Sequence, residues 1–186
     1  YEKLADEEAL PPGVWILGDL DGLGPAGREL AAGVHDALTE AGCRVLNDPR
    51  RTLRRFDLLR ALHEAGINRF RAVRAGADIS GLSFPVFVRC ASDHLGPLGD
   101  LLHSPAEVEH VVGRAGSAGI DVDDLIVVEF QDTSDEDGLF RKGGVLIIGG
   151  RLVPQHLFVA PSWMIKCKGS LFTLEVAREE SDWTRE

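Results

Sequence analysis

The chain has 186 residues, 44% of them hydrophobic and 27% charged, which fits one or two small domains with a real core and excludes a disordered polymer. Its 20 Lys and Arg against 30 Asp and Glu give a formal net charge of −10, which argues against non-specific binding to nucleic acid or to an anionic membrane surface. No apolar run approaches the ~20 residues that span a bilayer, no signal-peptide pattern is visible, and Cys43, Cys90 and Cys167 lack paired spacing, so the expectation is a cytoplasmic protein with reduced thiols.

The first ten residues are acidic and read as frayed. Val14 to Leu17 reads as a strand. Leu30, Ala31, Val34 and Leu38 recur at helical spacing and predict a helix over Pro25 to Ala41, stopped by Gly42. Cys43 to Leu46 reads as a second strand, and strand–helix–strand favours parallel pairing. Asn47-Asp48-Pro49 breaks the pattern. Thr52 to Ala65 then predicts an amphipathic helix with Leu53, Phe56, Leu59, Leu62 and His63 on one face. Arg50, Arg51, Arg54, Arg55 and Arg60 cluster on or near it, either as a solvated face or as a wall facing a negative ligand.

Phe70 to Arg74 and Pro85 to Arg89 read as strands. Ser104-Pro105-Ala106-Glu107 is a capping box with Pro at the first helical position, and its helix closes near Gly119. Leu125 to Phe130 reads as a buried strand. Gly143 to Val159 reads as a hairpin around Gly149-Gly150, a pair suited to a type I′ turn, with Pro154 at an edge or bulge. Leu171 to Trp183 looks helical. The early part is α/β and the later part α+β.

The stretch Phe84 to Gly99 carries the strongest chemical signal. An apolar strand ends on Arg89, and a loop with Ser92, Gly96 and Gly99 follows. A polyanion such as a phosphate chain needs a cation on a rigid element and backbone N–H groups that come close. Glu129, Phe130 and Gln131 end the buried strand and could give an adenine base an apolar slot with hinge hydrogen bonds. Arg141 and Lys142 open the hairpin within reach of a phosphate chain. Other patterns are weaker. Gly22, Gly24 and Gly27 match a dinucleotide fingerprint, but Gly18 to Asp21 intervene after the strand. Ser92, Asp93 and His94 are consecutive and cannot assemble a triad. The six His residues show no metal spacing, and Asp132 to Asp137 fits a calcium loop only loosely.

Taken in order, Asn47-x-Pro49, the basic helix leading to Gly66-Ile67, P-V-F-V-R, the glycine loop, V-E-F, and F-R-K before a Gly-Gly hairpin resemble the ATP-grasp superfamily. That is the fold of carboxylate–amine ligases such as glutathione synthase and ribosomal-protein glutamate ligases. The resemblance covers roughly residues 13 to 170. It implies an α/β pre-ATP-grasp lobe over residues 1 to 48 and a partial ATP-grasp domain with an antiparallel sheet over 49 to 186. It implies ATP as cofactor, with Arg89 where the family usually has Lys, the Ser92–Gly96–Gly99 loop over the phosphates, and Glu129 to Gln131 as the adenine hinge. Arg141 or Lys142 stands in for a phosphate-contacting Arg.

A complete enzyme of this kind forms an acyl phosphate on a small-molecule or peptide carboxylate, and an amine or thiol attacks it. Its Mg2+ ligands lie in a later acidic strand and Glu-x-Asn. Nothing after Trp163 supplies them, so the metal ligands are expected outside this chain, and the chain alone is expected to be inactive. Strand edges left open by such a truncation would favour association. Two alternatives stand beside this reading: a non-catalytic nucleotide-binding or interaction module, and a dinucleotide-binding protein using Gly22, Gly24 and Gly27.

Overall fold

The computed structural model describes residues 1–5 and 10–185, in two compact units, Tyr1–Gln131 and Asp132–Glu186. In the first, Val14–Ile16 (β1) pairs in parallel with Arg44–Leu46 (β2) across the helix Pro25–Glu40 (α2). Pro25 at the first helical position has no N–H to leave unpaired. The predicted stripe Ala31, Val34 and Leu38 is buried, and Gly42 at φ 79° ends the helix. Ahead of this lobe, where the sequence reads as frayed, Glu2–Ala5 (α1) makes one helical turn. Residues 6 to 9 of that acidic stretch lie outside the described residues.

A three-stranded sheet follows. Leu125–Glu129 (β5) lies between Ala72–Arg74 (β3) and Val86–Cys90 (β4), antiparallel to both. Side chains alternate across it. Leu125 and Val127, with Val86, Val88 and Cys90, pack with Val108 and Ala115 of the helix Pro105–Ser117 (α4). Ile126 and Val128 point the other way, where Phe87 joins Phe56 and Leu59 of the helix Arg55–Glu64 (α3). Helices on both faces bury every residue of β5. Leu125, Ile126 and Val127 are each 0% exposed, and full burial of such a side chain stabilises by about 1.5–3 kcal/mol. The Ser104 cap forms as predicted, its hydroxyl accepting the Glu107 N–H at 3.3 Å, while the return bond lands one residue earlier than a capping box places it. The Glu107 carboxylate reaches back to the His103 N–H at 2.7 Å.

One sequence expectation shifts. α3 begins at Arg55 rather than Thr52, because Asp48 accepts the Arg50 N–H at 3.0 Å and opens a separate 3-10 turn, Pro49–Arg51. Leu53, expected on the apolar face, therefore lies outside the helix and is 48% exposed. The two compact units divide after Gln131, so residues on both sides of position 48 belong to the first. Arg28 of α2 donates to the carbonyls of Pro49 and Thr52 at 3.3 and 2.5 Å. Arg50 is forked on Asp36 at 3.1 and 2.5 Å. These bonds tie both sides of position 48 together.

In the second unit, Phe140–Ile148 (β6) and Arg151–Ala160 (β7) form the predicted hairpin, with Gly149 and Gly150 at φ 56° and 80° as a type I′ turn requires. The register shifts beside Pro154, so Gln155 bulges out. The helix Leu174–Trp183 (α5) is opened by the Thr173 hydroxyl, which accepts the Val176 N–H at 3.2 Å. The indole of Trp183 lies over Gly143 and the imidazole of His156 over Gly144, and His156 stacks on Phe158 at 4.4 Å. The molecule is thus mixed α/β with small sheets. No helix among the described residues is long and apolar enough to cross a membrane.

Candidate anion-binding site

Alternation along β4 decides where its cation goes. Val86, Val88 and Cys90 take the α4 face, which leaves Phe87 and Arg89 on the α3 face. There Arg55, the first residue of α3 and next to the buried-facing Phe56, meets Arg89. Arg89 donates from Nη2 to the Asp93 carbonyl at 3.1 Å and from Nε to the Cys90 carbonyl at 3.3 Å. Arg55 donates from Nη1 to the carbonyls of Ala91 at 2.8 Å and Cys90 at 3.4 Å, and to that of Asp93. Both guanidinium groups therefore close on one short loop. Burial first, and the like charge of Arg55 second, push the Arg89 pKa below its ordinary value. Among the described residues no carboxylate lies within 4.0 Å of either guanidinium. Two cations held by carbonyl dipoles and, for Arg55, by the His94 imidazole nitrogen at 3.1 Å have no carboxylate at contact distance, and that attracts a polyanion.

The sequence singles out Arg89 and leaves Arg55 within a general basic cluster. The signal that identifies Arg55 is the period-two face of β4 combined with Phe56 and Leu59 facing the same sheet.

The loop after β4 folds back along its own strand. Leu98 N–H donates to Val88 O at 2.8 Å, and Gly96 makes the reversal at φ 105°, where a side chain would be strained. Ser92 is engaged: its hydroxyl donates to Asp124 at 2.6 Å and its N–H to the same oxygen at 3.3 Å. Gly99 is exposed, and a Cβ there would meet nothing within 4 Å.

At the end of β5 the Glu129 carboxylate is buried and fully used. It accepts from Arg71 Nη2 at 2.6 Å, Arg71 Nε at 3.0 Å, Arg71 N at 2.7 Å and Ser83 N at 2.6 Å. Burial would raise its pKa; the hydrogen bonds from Arg71 and from the Ser83 and Arg71 N–H groups outweigh it and hold the carboxyl below its ordinary range. The Glu129 N–H donates to Arg71 O at 3.0 Å and the Phe130 N–H to Pro85 O at 2.9 Å. An adenine placed here would rely on the half-buried Phe130 ring and exposed Gln131, since those two N–H groups are committed to the fold.

In the second unit, Arg141 donates to Asp135 at 2.5 Å and to Glu179 at 2.5 and 3.3 Å. Glu179 and Asp135 hold its guanidinium charged well above the ordinary range. Lys142 beside it is exposed.

The remaining candidates resolve as local structure. Asp132 accepts from the N–H and hydroxyl of Ser134 at 2.9 and 2.7 Å, and Asp135 from Asp137 and Leu139 N–H at 3.0 and 2.8 Å, so the acidic loop is a pair of Asx turns. Gly22, Gly24 and Gly27 all lack positive φ, and a Cβ would meet nothing closer than 3.4 Å at any of them. Neither a tight turn nor a close approach demands glycine, so the dinucleotide reading gains no support.

Asp19, Asp21 and His94 are the one group among the described residues whose ligand atoms converge. His94 Nε2 lies 3.8 and 3.9 Å from the two carboxylates. Its Nδ1 accepts from Arg55 at 3.1 Å, and Arg only donates. A neutral His94 therefore carries its proton on Nε2, the nitrogen facing the carboxylates. This largely exposed set does not fit Mg2+, which takes oxygen ligands, because one of its three groups is an imidazole. Neither a protein-family model nor a curated protein matches the sequence.

Proposed function

We propose that this chain is the nucleotide-binding part of an ATP-grasp ligase-like protein, and that its own residues hold the phosphate chain. The observation that carries the proposal is the convergence of Arg55 and Arg89 on the Cys90–Asp93 loop with no described carboxylate within 4.0 Å of either guanidinium. Two guanidinium forks present paired donors at fixed spacing, the geometry that matches phosphate oxygens. Each charge-assisted bond contributes about 1.5–3 kcal/mol. Burial of Arg89 removes competing water and strengthens the attraction. The antiparallel β3-β5-β4 sheet supplies the rigid base, and the glycine loop supplies approach. Acyl-phosphate formation on a carboxylate, followed by attack of an amine or thiol, is the reaction that the resemblance implies for the whole ligase. Holding the triphosphate is the part assigned here.

Thermal unfolding with added nucleotide tests the proposal. At a hundredfold excess over Kd a true ligand stabilises by ~2.7 kcal/mol. ATP is expected to raise Tm in wild type and to lose that effect in Arg89→Ala. NAD is expected to leave Tm unchanged. A shift with NAD and none with ATP would move the reading to the dinucleotide alternative.

A further inference from the structure

The Asp93 carbonyl oxygen sits between the two cations, accepting from Arg89 Nη2 at 3.1 Å and from Arg55 Nη1. We infer that the Ser92–Gly96 loop is a self-occupying gate, its Asp93 carbonyl standing in the Arg55–Arg89 site and displaced when a polyphosphate enters. The inference rests on the polyphosphate reading above.

A carbonyl carries only a partial charge, so it holds the place of an anion without neutralising the pair. A phosphate oxygen carries formal charge, so its Coulomb attraction to the same two cations exceeds that of a carbonyl dipole. The segment free to move is short and bounded. On one side Ala91 N–H is fixed to Asp124 O at 2.8 Å, and on the other Leu98 N–H is fixed to Val88 O at 2.8 Å. Between them the bonds that latch the closed form include the Ser92 hydroxyl donating to Asp124 at 2.6 Å and Arg55 donating to His94 Nδ1 at 3.1 Å. Gly96, at φ 105°, is the joint that can change backbone region without a side-chain penalty.

A closed state that excludes ligand lowers apparent affinity by the fraction of molecules that are open. Weakening the latch therefore tightens binding. Ser92 is the residue to change, because its hydroxyl faces Asp124 rather than the cations.

The test is calorimetric titration of inorganic tripolyphosphate into the full chain. Ser92→Ala is expected to bind about tenfold tighter than wild type with Tm unchanged or lower, and Ser92→Thr, which keeps the hydroxyl, to return toward wild type. Weaker binding by Ser92→Ala would place that hydroxyl on the ligand and overturn the gate, as would equal affinity. Arg89→Ala separates the two layers of the argument. If wild type binds and Arg89→Ala does not, while Ser92→Ala equals wild type, the gate alone fails. If wild type does not bind tripolyphosphate and Ser92→Ala does not either, the polyphosphate reading fails with it.

Discussion

Single residues in this chain are governed by what each charge is paired with. Glu129 and Arg89 sit on neighbouring strands of one sheet, yet one is saturated with donors and the other has only carbonyl dipoles. Removing the Glu129 charge leaves the Ser83 and Arg71 N–H groups facing a weaker acceptor. Glu129→Gln is expected to cost about 2 kcal/mol in urea unfolding at pH 7, below the range for a fully buried pair, because Arg71 is 40% exposed and solvent screens the pair.

The sign with pH follows from the depressed carboxyl. Its contribution is fully present above the unfolded value of ~4.3 and is lost as pH falls through the lower folded value. Wild type should therefore show a steeper acid limb than the variant, and identical limbs would contradict the assignment.

Cysteine reactivity divides on the same principle. Burial first, and Asp93 second, push the Cys90 thiol up to about 11, while Cys167 is exposed. At pH 8 iodoacetamide is expected to label Cys167 and spare Cys90, and mass-spectrometric labelling at Cys90 would contradict that.

At the level of elements, periodicity carried most of the information. The unbroken apolar run of β5 and the stripe on α2 are visible in the sequence because a face must be apolar wherever a partner covers it, and β5 is covered on both. The turn residues Gly149 and Gly150 and the cap Ser104 are visible because only certain residues do that work. The true start of α3 is not, since Asp48 competes locally for the Arg50 N–H, and a side chain that caps one turn ends the chance of a longer helix. The pairing of Arg55 with Arg89 spans 34 positions and depends on which face α3 lays against the sheet, which no local pattern records.

Gly143 and Gly144 show the same limit. The sequence presents them only as the opening of the hairpin. In the fold a Cβ on Gly143 would lie 2.6 Å from the Trp183 ring, so the glycine is required by packing. Gly143→Ala is expected to destabilise the second unit by about 1–3 kcal/mol, read as a lower Tm. Combining it with Trp183→Leu should recover part of the loss. Trp183→Phe alone should be tolerated, because the indole N–H is buried with no acceptor among the described residues. A Gly143→Ala protein as stable as wild type would remove the packing account.

For the molecule as a whole, the acidic balance and the basic site answer different questions. A net charge of −10 repels nucleic acid and anionic surfaces at long range, while two adjacent guanidinium groups act within a few ångströms. The Debye length is ~8 Å at physiological salt, so a ligand at the Arg55–Arg89 pair feels chiefly that pair. The mixed α/β character and most element positions were legible in the sequence. The cation pair was half legible, through Arg89, because charge pairing is a property of the assembled sheet and helix.

The most direct measurement is a double-mutant cycle read by calorimetric titration with inorganic tripolyphosphate. Arg55→Ala and Arg89→Ala are each expected to weaken binding about tenfold or more. The double variant should lose less than the product of the two losses, because both groups share one ligand. A double variant that binds tripolyphosphate as tightly as wild type would contradict the claim that this pair holds a phosphate chain.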